Sequence, residues 1–160
     1  MEYKNEYISP LGKIIIKSNG SALTKLYFSE EEVSNDEQEI FKETKKWLDI
    51  YFSGNNSNFK LNIELTDVTD FQREIYNILL NIPYGSTCTY GDIAKIIAIK
   101  RGIKKMSSQA VGNAVSNNPI CLIIPCHRVI GARNLVGYRY GLDKKKELLK
   151  LEHCEFLEER

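Results

Sequence analysis

The segment Ile123-Ile124-Pro125-Cys126-His127-Arg128-Val129-Ile130 gathers the residue types that can do covalent chemistry. A cysteine becomes a nucleophile when a base, a cation or a helix N-terminus stabilises its thiolate. Cys126 is preceded by a proline and followed by a histidine and an arginine. On an extended strand the side chains of Cys126 and His127 would point apart. The pair works only if the backbone turns sharply there, and Pro125 favours such a turn. A histidine acting as base needs an orienting partner, usually a carboxylate. Glu147 and Glu152 are the candidates, carried by a helix expected over Asp143 to Leu151 with Leu148, Leu149 and Leu151 as its apolar face. The remaining cysteines, Cys88, Cys121 and Cys154, read as small buried hydrophobes, and His153 as a surface residue of the last helical turn.

The elements that position these residues belong to a chain of 160 residues, 42% hydrophobic and 27% charged. Those values describe a soluble globular protein and exclude wholesale disorder. No apolar run approaches the roughly 18 residues of a membrane span. Met1-Glu2-Tyr3-Lys4-Asn5 lacks the apolar core of a signal peptide, so a cytoplasmic location is expected. Four cysteines in a reducing compartment read as free thiols, and two histidines without a C-x-x-C pair argue against a metal site. The net charge of +1 hides an asymmetry: residues 1–66 carry 8 basic and 11 acidic side chains, residues 67–160 carry 14 and 10. Between Lys95 and Lys146 eleven basic residues accompany one acid, Asp143, the local excess that phosphate binding requires.

Residues 1–66 read as a small sheet with a helix. Lys13 to Lys17 is a β-branched run, Asn19-Gly20 a hairpin signal, and Ala22 to Phe28 the returning strand. Asp36 to Phe52 has helical spacing, and Phe59 to Leu65 alternates as a half-buried strand. From Thr69 the pattern becomes helical. A first helix capped by Thr69 or Asp70 stops near Ile82-Pro83-Tyr84-Gly85. A second runs over Tyr90 to Ile99, capped near Thr89, and a third from Ser107 or Ser108 to Val115. A basic loop, Lys100 to Met106, joins the last two. Two short helices so joined, the second rich in small residues (Ala110, Gly112, Ala114), make a helix-turn-helix pattern.

With Pro125-Cys126-His127-Arg128-Val129 in view, the chain resembles the O6-alkylguanine-DNA alkyltransferases, or methylated-DNA–protein-cysteine methyltransferases. Phe71-Gln72, Ile82-Pro83-Tyr84-Gly85, Thr89-Tyr90-Gly91-Asp92-Ile93-Ala94, Ala110-Val111-Gly112, Asn118-Pro119, Gly137-Tyr138-Arg139-Tyr140-Gly141 and Leu148-Leu149-x-x-Glu152 follow in family order. Ser9-Pro10-Leu11-Gly12 is similar to the family's N-terminal domain. The resemblance implies an α/β fold: a ribonuclease-H-like antiparallel sheet with a helix over 1–66, and a mostly helical winged helix-turn-helix DNA-binding domain over 67–160. It implies DNA repair by direct reversal. The target base is flipped out through the minor groove, and the alkyl group of O6-alkylguanine, with O4-alkylthymine a possible second substrate, passes irreversibly to Cys126, one turnover per molecule.

By the same resemblance His127 deprotonates Cys126 through a water, Glu152 orients His127, and Asn118 braces the active-site turn. Tyr90 donates a proton as guanine leaves and rotates the backbone phosphate, the backbone of Cys126 and Val129 holds the flipped base, and Lys145 lies near the leaving oxygen. Gln109 takes the intercalating position, with Ser107, Ser108, Ala110, Gly112, Arg128, Tyr138 and Arg139 completing the DNA and substrate surface. No cofactor or metal is expected. The expected partner is double-stranded DNA containing O6-alkylguanine, bound by a monomer that could act cooperatively along it, and no membrane.

The chain departs from the family pattern in four places. Gln109 stands where many members have arginine, which predicts weaker duplex affinity. The Lys100–Met106 loop is long, with four cations suited to phosphates. Arg139-Tyr140 puts bulk where some members have small residues, which narrows the pocket towards methyl adducts. The zinc ligands of some animal members have no counterparts. A Cys-His-Glu hydrolase would use the same triad, but the helix-turn-helix and basic loop count against it. A damage-binding module without chemistry is opposed by Cys126 itself.

Overall fold

The computed structural model describes residues 1–155. The chain divides into two compact units, Met1–Asp67 with Pro119–Cys121, and Val68–Asn118 with the chain from Leu122 onward. Among the described residues no helix is long and apolar enough to cross a membrane.

The first unit is a three-stranded antiparallel sheet in the order β1 (Tyr3–Ser9), β2 (Gly12–Ser18), β3 (Leu23–Phe28), followed by helix α1 (Glu39–Phe52). β2 is central, and Ile14, Ile15 and Ile16 are all buried, so both faces of the sheet are covered there. The Asn19-Gly20 hairpin exists as a longer loop. Asn19 Oδ1 accepts from the Ser21 and Ala22 amides, and Gly20 takes the left-handed backbone (φ +105°) that the turn requires.

One element is added and two expectations are corrected in this unit. β1 is a strand although its mixed polar sequence gives little signal. The helix expected from Asp36 begins at Glu39, because Asp36 is held by β1: its carboxylate accepts from the Lys4 amide (3.0 Å) and its amide donates to the Lys4 carbonyl (2.9 Å). Phe59–Leu65 keeps its buried alternation but forms only a parallel bridge, Ile63 to Leu23. The next stretch of that edge is taken by Pro119–Cys121, where the Leu26 amide donates to the Pro119 carbonyl and the Cys121 amide to the Leu26 carbonyl, each at 2.9 Å.

The second unit comprises α2 (Asp70–Leu79), β4 (Cys88–Thr89), α3 (Tyr90–Arg101), α4 (Ser108–Ser116), a 3₁₀ turn (Cys126–Arg128), β5 (Val129–Ile130) and α5 (Leu142–Leu151). β4 and β5 pair in parallel, Cys88 opposite Val129 and Thr89 opposite Ile130. Thr69 and Thr89 each cap their helix in a full capping box, with Gln72 and Asp92 as the reciprocal partners. Ser107 caps α4 by accepting from the Ala110 amide. α3 runs two residues further than expected, to a left-handed Gly102 (φ +64°). Lys100 and Arg101 therefore lie in its last turn, where cations suit the helix dipole, and the connection between the two helices is Gly102–Ser107. Val111, Ala114 and Val115 face the core from α4, and the Tyr76 hydroxyl donates to the Ala114 carbonyl at 2.8 Å.

Thr89→Ala removes the α3 cap. It is expected to cost about 1 kcal/mol, read as a lower urea midpoint with an unchanged slope; an unaltered midpoint would mean that the cap carries no stability.

Candidate active site

The sharp turn demanded by a Cys126–His127 pair is present. Pro125 (φ −81°, ψ 67°) leads into the 3₁₀ turn, the Cys126 amide donates to the Ile124 carbonyl (2.8 Å), and the Arg128 amide to the Pro125 carbonyl (3.0 Å). Asn118, buried just beyond α4, donates from Nδ2 to the Ile124 carbonyl at 2.7 Å and so ties the turn to the end of that helix. Cys126 is 5% exposed.

Of the two candidate carboxylates, Glu147 points to solvent and Glu152 is buried at the C-terminus of α5. Glu152 Oε2 lies 2.5 Å from His127 Nε2, while Oε1 accepts from Arg128 Nε (2.7 Å) and the Gly85 amide (3.2 Å). Burial pushes the Glu152 carboxyl up, but the hydrogen bonds and charges of His127 and Arg128 outweigh it and hold its pKa down to about 2. An ionised carboxylate only accepts, so His127 Nε2 carries the proton and Nδ1 is the basic nitrogen. Burial lowers the imidazole's own pKa; the Glu152 hydrogen bond and charge oppose this, and the charges of Arg128 and Lys145 reinforce it. The histidine is therefore neutral at pH 7, as a base must be.

Tyr90 is the first residue of α3, half-buried. Its ring lies 3.8 Å from where a Cβ on Gly112 would sit, so the absent side chain on α4 makes room for the phenol. Burial raises its pKa, and the charge of Cys126 raises it further, which places the two groups within electrostatic reach and keeps the phenol protonated. Ser107, Ser108 and Gln109 are exposed at the start of α4, with Ala110 and Gly112 half-exposed beside them. Arg139 is exposed, its guanidinium 5.6 Å from the Tyr140 ring, and half-buried Tyr138 meets Tyr140 edge-on at 5.6 Å.

Two residues expected at the DNA and substrate surface are buried and hydrogen-bonded inside the protein. Arg128 is 8% exposed, with Nε on Glu152 and Nη1 on the Ile82 carbonyl (2.7 Å). Lys145 is fully buried, and Nζ donates to the carbonyls of Val129 (2.6 Å), Leu135 (2.9 Å) and Gly137 (3.0 Å). Three donors meet three acceptors, so this lysine clamps the segment after β5. It also takes one acceptor position on the Val129 carbonyl expected to hold the base. Of the other cysteines, Cys121 and Cys154 are buried as expected and Cys88 is half-buried; none of the four is in a disulfide. Burial, with help from the Asp92 charge, raises the Cys88 thiol above its usual range, and burial with the Glu152 charge raises Cys154 to about 11, so neither competes as a thiolate. Among the described residues no group of three or more His, Cys, Asp or Glu side chains is placed to hold a metal. The residues that sequence reasoning left without a role are Ile82, Tyr84 and Gly85; the Pro83-Tyr84-Gly85 turn signal marked their place.

A buried cysteine, histidine and glutamate in the same unit as a helix-turn-helix are the parts that thiol chemistry on a nucleic-acid-binding scaffold requires. Residues 70–154 match the 6-O-methylguanine DNA methyltransferase DNA binding domain, and residues 3–65 match the ribonuclease-like domain of the same proteins. The chain belongs to the 6-O-methylguanine DNA methyltransferase family. It is 39% identical to the methylated-DNA–protein-cysteine methyltransferase of Mycobacterium leprae, over 93% of this chain and 91% of that protein. It is 41% identical to the one from Methanosarcina acetivorans, over 90% and 94%. The structure of Mycobacterium tuberculosis OGT in complex with DNA superposes with a TM-score of 0.81 at 37% identity, covering 94% of this chain and 92% of that one.

Because the Glu152 carboxyl sits at about 2 in the folded protein against an ordinary 4.5, its contribution to stability is complete above 4.5 and lost as pH falls from there towards 2. Thermal unfolding of the wild type is expected to drop across that window. Glu152→Gln should be less stable at neutral pH and flatter on acidification; parallel curves for the two proteins would remove Glu152 as the source.

Proposed function

We propose that this protein repairs DNA by direct reversal, transferring the alkyl group of O6-alkylguanine to Cys126 in a single turnover. The observation that carries this reading is the Cys126–His127 turn locked to Glu152 in the same unit as the helix-turn-helix. His127 Nδ1 takes the thiol proton through a water, and Glu152 holds the imidazole in the tautomer that permits it. The Cys126 sulfur attacks the alkyl carbon; the S–C bond forms as the C–O6 bond breaks, and the electron pair goes to the guanine oxygen. The base takes up one proton, for which the Tyr90 phenol is the donor. The thioether has no route back, so each molecule acts once, and no cofactor is required because the nucleophile is also the acceptor.

The target base must leave the duplex stack to reach a buried thiol. The exposed start of α4, Ser107 to Ala110, is the surface that enters the minor groove, with Gln109 filling the space vacated by the flipped base. Solvent-facing Lys100, Lys104 and Lys105 contact phosphates; Arg101 contributes less, because it pairs with Glu74 at 3.1 Å and lies over the Phe71 ring. A cytoplasmic setting, where the four unbridged thiols stay reduced, suits this chemistry.

Intact mass after incubation with a duplex containing O6-methylguanine is expected to rise by one CH₂ unit, about 14 Da, saturating at one per molecule, with peptide mapping to Cys126. Cys126→Ala should gain nothing while still binding the duplex; methylation of Cys88 or Cys121 instead would sink the assignment. Gln109→Arg should tighten duplex binding, and removing the charges of Lys100, Lys104 and Lys105 should reduce the salt slope by about 0.9 for each phosphate no longer neutralised. An unchanged affinity in the first case, or an unchanged slope in the second, would take those residues out of the interface.

A further inference from the structure

We infer that the Tyr84-Gly85 turn between α2 and β4 is a positioning element of the transfer reaction, with the Gly85 amide and Arg128 together fixing the Glu152 carboxylate so that one oxygen alone is left for His127. The inference rests on the role proposed above for the Cys126–His127–Glu152 arrangement and assigns a task to residues outside it. A carboxylate oxygen has two acceptor positions. Both positions of Glu152 Oε1 are filled, by the Gly85 amide at 3.2 Å and Arg128 Nε at 2.7 Å. Two donors from different directions set the rotation of the carboxylate about its last bond, and Oε2 then meets His127 Nε2 at 2.5 Å.

Glycine is needed at position 85 for two separate reasons. Its backbone lies in the left-handed region (φ +81°), which aims the amide at the carboxylate, and a Cβ there would sit 3.3 Å from the backbone carbonyl oxygen of Glu152. The rest of the turn serves the same cluster. The Ile82 carbonyl accepts from Arg128 Nη1 at 2.7 Å, the Tyr84 ring lies 5.8 Å from the guanidinium carbon, and the Tyr84 hydroxyl donates to the Leu151 carbonyl at 3.4 Å. One turn thus supports the arginine, the carboxylate and the end of the helix that carries it. Its influence on the thiol runs through Glu152 and His127.

Without the Gly85 amide, Oε1 keeps one fixed donor. The carboxylate swings, binds its proton more readily, and no longer holds the imidazole with Nδ1 towards the thiol. The charged and titratable groups facing this pair are Arg128 and His127 from the 3₁₀ turn, Tyr84 from the α2–β4 connection, Lys145 from α5 and Cys154 beyond it.

The test is the single-turnover rate of Cys126 methylation as a function of pH for the wild type, Gly85→Ala and Gly85→Asn. Gly85→Ala is expected to bind the duplex as the wild type does and to transfer on the order of tenfold to a hundredfold more slowly, with the acid limb of its pH profile moved to lower pH, because His127 loses part of the Glu152 hydrogen bond and charge that raise its pKa. Gly85→Asn, whose side chain tolerates left-handed backbone better, should recover part of the rate. Should Gly85→Ala fail to fold, Tyr84→Leu carries the test, with slower transfer and the same direction of pH shift expected. A wild-type rate and profile in the folded variant, or a slower rate with an unmoved acid limb, overturns the inference while leaving the alkyl transfer intact. A wild-type protein that never gains mass on Cys126 overturns the reading on which both rest.

Discussion

A carboxylate that stays ionised while buried needs a donor for nearly every lone pair, and Glu152 sets that condition for the second unit. The donors come from His127, Arg128 and the Gly85 amide, that is, from the nucleophile's own turn and from a connection more than thirty-five residues earlier in the chain. Satisfying one side chain therefore brings three remote stretches together: the Ile82–Gly85 connection, the 3₁₀ turn and the C-terminus of α5. Taking away any one donor leaves a buried lone pair of the carboxylate without its partner. The histidine is held in one tautomer for the same reason, because the carboxylate beside Nε2 can only accept. Acid–base competence and fold are here the same interaction seen from two sides.

The thiol is placed by a different device. Cys126 lies on a short 3₁₀ turn whose entry is braced by Asn118, and Asn118 follows directly on α4. The same nine-residue helix begins, at its Ser107 cap, with the exposed polar residues that face outward. It rises about 13 Å from end to end. One helix thus exposes its first turn and braces the Cys126 turn near its last, and Gly112 between them leaves the space that the Tyr90 ring fills. A helix tied at both ends in this way gives a rigid distance between the surface that holds the duplex and the sulfur that must be reached.

Much of this was legible in the sequence, for reasons that differ from element to element. The helices of the second unit announced themselves because threonine caps with a polar residue three positions on, Thr69 with Gln72 and Thr89 with Asp92, are local signals. The need for a turn at Cys126 followed from the geometry of adjacent side chains. The choice of Glu152 over Glu147 came only with the family pattern, since it depends on which side of α5 faces inward and on where that helix stops. β1 gave little signal because an edge strand alternates weakly. The single bridge at Ile63 was illegible because it depends on Pro119–Cys121 taking the adjacent stretch of β3, a pairing set far along the chain. Gly85 read as a turn former, and its amide acquires a partner only in three dimensions.

Charge counting shows the same limit most sharply. Eleven basic residues between Lys95 and Lys146 suggest a surface dominated by phosphate contacts. Three of the eleven are committed inside the protein or on its own acids: Arg128 to Glu152 and Ile82, Lys145 to three carbonyls, and Arg101 to Glu74. At most eight remain to displace counterions, and each contributes only if it reaches a phosphate. The exposed start of α4 carries no charge at all, only Ser107, Ser108 and Gln109. In the proposed reading electrostatics therefore brings the duplex to the protein, whereas entry into the groove is left to neutral side chains. Part of the positive charge in the sequence builds the site, and only the remainder is available to hold the substrate.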